Sequence, residues 1–403
     1  MTAPLAFDAA IEAATPALLA FLDRLVAADS SNPPGDTRSV ADLVVDRLSA
    51  AGIAPRTVRK VPEKPNVIAV AEGSGPGRHL VFNVHLDTVH PGEVADWSVP
   101  LHAATHRDGR IFGLGVGNMK GAVAAQTLAF ELLAAHPDAW SGRITFTAVA
   151  DETVFGPDGA GYLLETESGL IGDAMICGEG PGAMALALAE KGLLWLALDA
   201  TAPSAQGMLA RPLSSAVTRL AAAIAEIDRW NDTTAAPPAE IAAVADHPER
   251  DGLRLSVNTG TIAGGRFVSQ SATRATAEID FRIPPGLTIA DIEARVDAVI
   301  GRIEGLSRRR LKGWEPNWTA ASSPIVAAMA AAHGAVRGEA AVPVVRLPAS
   351  DASRWRRLGV PAVCYGPQAD RVSGVDDWVH ARDVVDCAKI YVRAALAFLS
   401  EPT

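Results

Sequence analysis

Leu80-Val81-Phe82-Asn83-Val84 runs directly into His85-Leu86-Asp87. Three further short apolar runs follow it, Ile144 to Ala150, Ala174 to Cys177 and Pro361 to Tyr365, with helical stretches such as Gly121 to Ala135 between them. Strands that alternate with helices predict an α/β fold around a sheet buried on both faces. The polar residues fall where such a sheet presents ligand sites, outside the carboxyl ends of its strands. His85 and Asp87 end the first run, Asp151 and Glu152 end the second, and Glu179 ends the third. Three strands delivering imidazole and carboxylates to one rim outweigh the reading of each as an isolated structural residue.

Upstream, Leu18, Leu19, Leu22, Leu25 and Val26 recur at helical spacing, and Ser31-Asn32-Pro33-Pro34-Gly35-Asp36 stops that helix. Val40, Leu43, Val44 and Leu48 mark a second helix. Downstream, between about Leu193 and Leu306, the pattern changes. Ala277, Ile279, Phe281 and Ile283 alternate with Thr276, Glu278, Asp280 and Arg282, as in a strand with one wet face. Thr288 and Asp291 form a capping box ahead of Ile289, Ile292, Val296, Val299 and Ile303. Two strands and two helices in this order predict a small α+β domain inserted into the larger one, with Asn231 to Asp251 as its long loop. The expected boundaries are 1–192 and 307–403 for the α/β domain and 193–306 for the insert.

The length of 403 residues suits two or three domains, and 49% hydrophobic with 20% charged residues suits a globular chain. A net charge of −10, spread without a basic stripe, argues against a nucleic-acid partner. No secretory leader is legible, and no apolar run is read as reaching the ~18 to 20 residues of a membrane helix. Cys177, Cys364 and Cys387 show no CxxC spacing and are expected to be reduced and structural. These readings predict a cytoplasmic protein with no nucleic-acid or membrane partner.

The His85-Leu86-Asp87 spacing has a mechanical meaning, because a metal-bound imidazole needs its other N–H held, and a carboxylate two residues on can hold it. Taken with Asp96-Trp97, Gly113-Leu114-Gly115-Val116-Gly117-Asn118-Met119-Lys120-Gly121, Asp151-Glu152, Gly178-Glu179, Ser350-Asp351-Ala352, Gly366-Pro367 and His380, it resembles the ordered signature of the M20 metallopeptidases and amidohydrolases. That family includes carboxypeptidase G-like, succinyl-diaminopimelate desuccinylase and acetylornithine deacetylase enzymes. The resemblance implies a mixed-sheet catalytic domain of the zinc-peptidase type, interrupted by a lid that makes a homodimer contact, and two zinc ions at the rim. Carried over residue by residue, it implies His85, Glu179 and His380 as metal ligands, Glu152 as general base and Asp87 as the residue orienting His85.

Two positions depart from the pattern: Asn118 stands where a bridging Asp is usual, and Thr153 where a ligand Glu is usual. The lid histidine is Gln206, Ser269 replaces an Asn, His90 stands where a Pro is usual, and Arg282 matches a lid arginine that takes a substrate carboxylate. With Glu179 the one carboxylate left in the shell, two dications are undercompensated. The expected metal content is therefore at most one zinc or other divalent ion, held by His85 and Glu179 with Asn118 or His380, or none. The expected reaction is cleavage of a C–N bond in a small carboxylate-bearing amide, with Lys120, Gln206 and Arg282 holding substrate. The alternative is a non-hydrolytic enzyme, lyase- or cyclase-like, or a binding protein on the same scaffold.

Overall fold

The computed structural model describes residues 3–167, 169–246, 250–369 and 374–400. Its contacts divide the chain into two units, one formed by 1–188, 319–344 and 350–403, the other by 189–318 and 345–349.

The first unit opens with helix α1 (Ala3–Ala27), whose Leu18, Leu22, Leu25 and Val26 are buried at helical spacing. With 25 residues and a mean hydropathy of 1.6 in its most apolar window, α1 is long and apolar enough to cross a membrane. Asp8, Glu12, Asp23 and Arg24 interrupt it, so it holds no unbroken apolar run of the kind the sequence reading requires. The interruption at Pro16 and the flanking charges hide it from a search for an unbroken run.

Helix α2 (Arg38–Ala50) and strands β1 (Arg56–Arg59), β2 (Pro65–Glu72) and β3 (His79–His85) follow, then helix α3 (Gly121–Ala135), strand β4 (Arg143–Val149) and strand β5 (Ala174–Cys177). The predicted runs therefore form strands, and α3 has the expected bounds. Strand β6 (Leu186–Glu190) pairs at Ala187 with Cys364 of the last strand of this sheet.

The second unit is a four-stranded antiparallel sheet made by β7 (Gly192–Thr201), β8 (Ser256–Gly264), β9 (Arg274–Ile283) and β10 (Leu306–Trp314), in the order β8-β9-β7-β10. Helices α4 (Ala216–Asp228) and α5 (Ile289–Ile300) cover one face of it. The alternation read in β9 is real: Ala277, Ile279, Phe281 and Ile283 are buried with Leu194, Leu196 and Leu198 of β7. Two more strands are present than the sequence suggested, and the unit runs on past β10 to Trp318. Leu306–Trp314 is mostly exposed and basic, so it lacks the apolar pattern that marks a strand. The expected loop Asn231 to Asp251 contains short 3-10 turns at Arg229–Asp232, Ala239–Asp246 and Arg250–Leu253, while 247–249 lie outside the described residues.

The chain returns to the first unit with helix α6 (Pro324–Arg337), strand β11 (Ala362–Cys364) and helix α7 (Ala381–Ser400). The mixed sheet there has the order β6-β11-β5-β3-β4-β2-β1. Strands β11, β5, β3 and β4 are mutually parallel, and β2 and β1 turn antiparallel at one edge. Helix α3 packs against α1, α7 and the sheet, and its residues from Gly121 to Phe130 are all buried. All three cysteines are free and buried.

Candidate active site

Parallel pairing sets the site. Because β3 and β4 are in register with His85 opposite Val149, and β3 and β5 with Asn83 opposite Cys177, all three strands end at one rim. His85 is the last residue of β3, Glu152 lies three residues past the end of β4, and Glu179 two past β5. The turn after β4 places Asp151 in the left-handed region at φ 62°, a conformation short polar side chains tolerate best. Asp151 ties the loop down through Lys64 Nζ at 2.5 Å and the Asp158 N–H at 3.2 Å.

At the rim, one ligand-type atom from each of His85, Glu152 and Glu179 lies within 4.8 Å of the other two, and all three residues are buried. His85 Nε2 stands 3.7 Å from a Glu152 oxygen and 4.0 Å from a Glu179 oxygen. Its Nδ1 donates to the Asp87 carbonyl at 2.8 Å, with an Asp87 carboxylate oxygen at 3.6 Å. Nε2 meets Asn118 Oδ1 at 2.8 Å. Acceptors at both nitrogens suit a doubly protonated ring. Burial disfavours that charge, yet Asp87, Glu152 and Glu179 outweigh it and raise the pKa to about 10.

Asp87 is fully buried. Its carboxylate accepts from Asn32 Nδ2 at 2.8 Å, from the N–H groups of Glu152 at 3.1 Å and Thr153 at 3.0 Å, and from Thr153 Oγ1 at 2.7 Å. Burial would raise its pKa, but His85 and these donors reverse that and hold it at about 2. Glu152 is the opposite case: burial first, then the Glu179 charge, push it well above the usual carboxylate range, with His85 opposing. Asp351 is raised to about 6, by burial first, with Arg354 and His85 opposing and Glu179 and Asp87 adding. Among the described residues Asp351 Oδ2 has no hydrogen-bond partner.

The approach of the Asn118 loop depends on glycine. Gly115 has φ 75°, and a Cβ there would lie 2.1 Å from Thr88. The Gly117 N–H donates to Asp377 at 3.0 Å.

Not every expected residue joins this group. His380 is exposed and packs edge-on against Trp378, with ring centroids 4.8 Å apart. Lys120 is buried, donates to the Ala28 carbonyl at 2.8 Å, and is lowered to about 8 by burial against the pull of Asp29 and Asp377. His90 accepts from the Gly92 N–H at 3.1 Å. In the second unit Arg282 pairs with Asp280 at 3.0 Å, and Gln206 bridges to Gln270. Two contributors went unrecognised in the sequence. Asn32 reads there as part of a helix-stopping turn but serves as a donor to Asp87. Asp351 lies in a quoted motif that carries no role of its own.

The donor set fits one divalent ion, whose charge Glu152 and Glu179 balance with His85 neutral. For a second ion the fit is poor, since Thr153 Oγ1 is engaged by Asp87 and His380 stands outside the group.

The profile of Peptidase family M20/M25/M40 matches residues 81–397. Succinyl-diaminopimelate desuccinylase of Burkholderia pseudomallei (strain 668) is 26% identical, over 94% of this chain and 98% of that enzyme. Human carnosine dipeptidase 1 superimposes with a TM-score of 0.75 at 15% identity, covering 100% of both chains. The Bacillus subtilis YXEP protein, described as a dinuclear metal binding peptidase from the M20 family, superimposes with a TM-score of 0.69 at 12% identity, over 96% of this chain and 99% of that one. At these identities the two structures establish a shared fold.

Proposed function

We propose the function from one premise: this chain belongs to Peptidase family M20/M25/M40. It is accordingly a hydrolase of the peptidase and amidohydrolase type with a candidate metal-binding site and a small-molecule substrate. Our finer reading is an amidohydrolase that cleaves the C–N bond of a small carboxylate-bearing amide, with Glu152 as general base. The observation that carries it is the buried convergence of His85, Glu152 and Glu179 at the rim.

Glu152 is suited to the role because its raised pKa lets it take a proton from water and return it to the leaving nitrogen. His85 and Glu179 would hold one divalent ion, and Asn118 Oδ1 lies beside them; when bound, such an ion polarises a carbonyl and acidifies water. Asp87 fixes the orientation of His85 and is itself fixed by Asn32 and Thr153. Arg282 is our candidate for the substrate carboxylate. Lys120, committed to Ala28, acts in our reading by positioning the Asn118 loop. The exposed Met208, Phe267 and Val268 of the second unit support its role as a lid that makes a homodimer contact. Free, buried thiols support a reducing, cytoplasmic location.

A second reading rests on one observation, that both nitrogens of His85 have acceptors. With no metal, His85 would be a general acid for a non-hydrolytic reaction, and Glu152 its partner. Glu152→Gln, assayed against a panel of N-acyl amino acids and dipeptides, separates the two. We expect turnover to fall by about 10²-fold or more. A change within about twofold would remove the hydrolytic reading.

A further inference from the structure

Asn32 stands between two buried carboxylates. Its Nδ2 donates to Asp87 Oδ2 at 2.8 Å and, over a longer distance, to Asp151 Oδ1 at 3.4 Å. Both acids are at most 1% exposed, and Asn32 is buried with them. Parallel pairing of Ser31 with Thr88 and of Asn32 with Val89 fixes its backbone beside Asp87. The side chain lies against Gly35, where φ is 75° and a Cβ would come within 2.8 Å of the Asn32 Cγ.

A neutral amide shared by two anions leans toward the one that is less well matched. Lys64 decides that competition. Antiparallel pairing of β2 with β4, with Val67 opposite Ala148, carries the residue ahead of β2 to the turn after β4. There Lys64 Nζ meets Asp151 Oδ1 at 2.5 Å and lies 3.5 Å from an Asp158 oxygen. The Asp158 N–H donates to the other Asp151 oxygen at 3.2 Å. With Asp151 matched, the short bond from Asn32 goes to Asp87, whose carbonyl accepts from His85 Nδ1 at 2.8 Å. Without the ammonium, Asp151 is a buried anion left with Asn32 and the Asp158 N–H as its side-chain donors among the described residues, and it draws the amide from Asp87.

We propose that Lys64 is a positioning residue for His85, acting through Asp151, Asn32 and Asp87. The family resemblance assigns Asp87 alone to this task. That the ring so held serves turnover rests on the amidohydrolase reading, whereas the holding itself does not.

The test observes the ring by NMR in the full chain, isotope-labelled at its histidines and freed of metal with EDTA. The His85 ring N–H, identified by its absence in His85→Gln, should exchange slowly with solvent at pH 7. Lys64→Met should speed that exchange about tenfold, the weight of one neutral hydrogen bond, whereas Lys64→Arg should stay within about twofold of wild type. Lys64→Gln should speed it several-fold and serves if Lys64→Met does not fold. Asn32→Ala should match Lys64→Met, and the double variant should be no faster than Asn32→Ala alone, because the path to Asp87 is already cut. Unchanged exchange in Lys64→Met overturns the proposal, as does an equal acceleration in Lys64→Arg, or effects of Lys64→Met and Asn32→Ala that add. A wild-type proton too fast to observe also overturns it, since the ring would then not be held. No step of this measurement involves hydrolysis, so a Glu152→Gln variant with full turnover leaves its outcome standing.

Discussion

At the residue scale, Asn118 and Thr153 both bear on His85. Asn118 Oδ1 accepts from His85, and Thr153 Oγ1 braces the carboxylate that orients His85. Two carboxylates, Glu152 and Glu179, face that imidazole from the rim. Elemental analysis after dialysis should therefore find at most one tightly held divalent ion per chain. Asn118→Asp combined with Thr153→Glu should raise the content toward two, because the added carboxylates supply the missing negative charge. Two ions in the native protein, or none in either, would refute this charge argument.

Lys191 supplies a second residue-scale prediction. Its folded pKa of about 8 lies below the usual 10.5, so between those values the unfolded chain holds more protons than the native one. Stability then rises with pH across that window, as the unfavourable buried charge is lost. Lys191→Met should stabilise the protein at pH 7 by at most about 3 kcal/mol, with the gain shrinking from pH 8 to pH 10.5. Urea unfolding of both proteins at the two ends of that window measures it.

At the element scale, the site follows from strand direction. Parallel β3, β4 and β5 bring His85, Glu152 and Glu179 together from positions far apart in sequence, so the loops beyond the strands need only turn once. In the second unit the start of α5 is set locally. Thr288 Oγ1 accepts from the Asp291 N–H at 3.1 Å, and Asp291 accepts from the Thr288 N–H at 2.8 Å. Thr288→Ala should cost about 1 kcal/mol of stability in chemical denaturation, with m unchanged.

At the scale of the whole molecule, the second unit exposes Met208 at 87%, Phe267 at 62% and Val268 at 96%. Apolar side chains presented together are a common mark of a contact surface. Sedimentation at micromolar concentration should give a dimer, and Phe267→Asp with Val268→Asp should shift it to monomer while leaving the far-UV circular dichroism intact. A wild-type monomer under those conditions would refute the dimer.

The sequence by itself determined what depends on neighbouring residues. The apolar runs specify β3, β4, β5 and β11, the alternation specifies β9, and the Thr288–Asp291 box specifies the start of α5, because periodicity and capping act over a few residues. The order of the motifs also carried the family, while the apolar run Ile144 to Ala150 placed Glu152 at a strand end. Strand β10 stayed hidden, since an edge strand of exposed basic residues is held by its partner's backbone and has no apolar code of its own. Only the tertiary structure decided that Asn32 reaches Asp87, that Thr153 is a donor to it, that Lys120 is committed to Ala28 and that His380 stands outside the cluster. Each of these depends on where a side chain finds a partner across the fold, which short-range patterns do not encode.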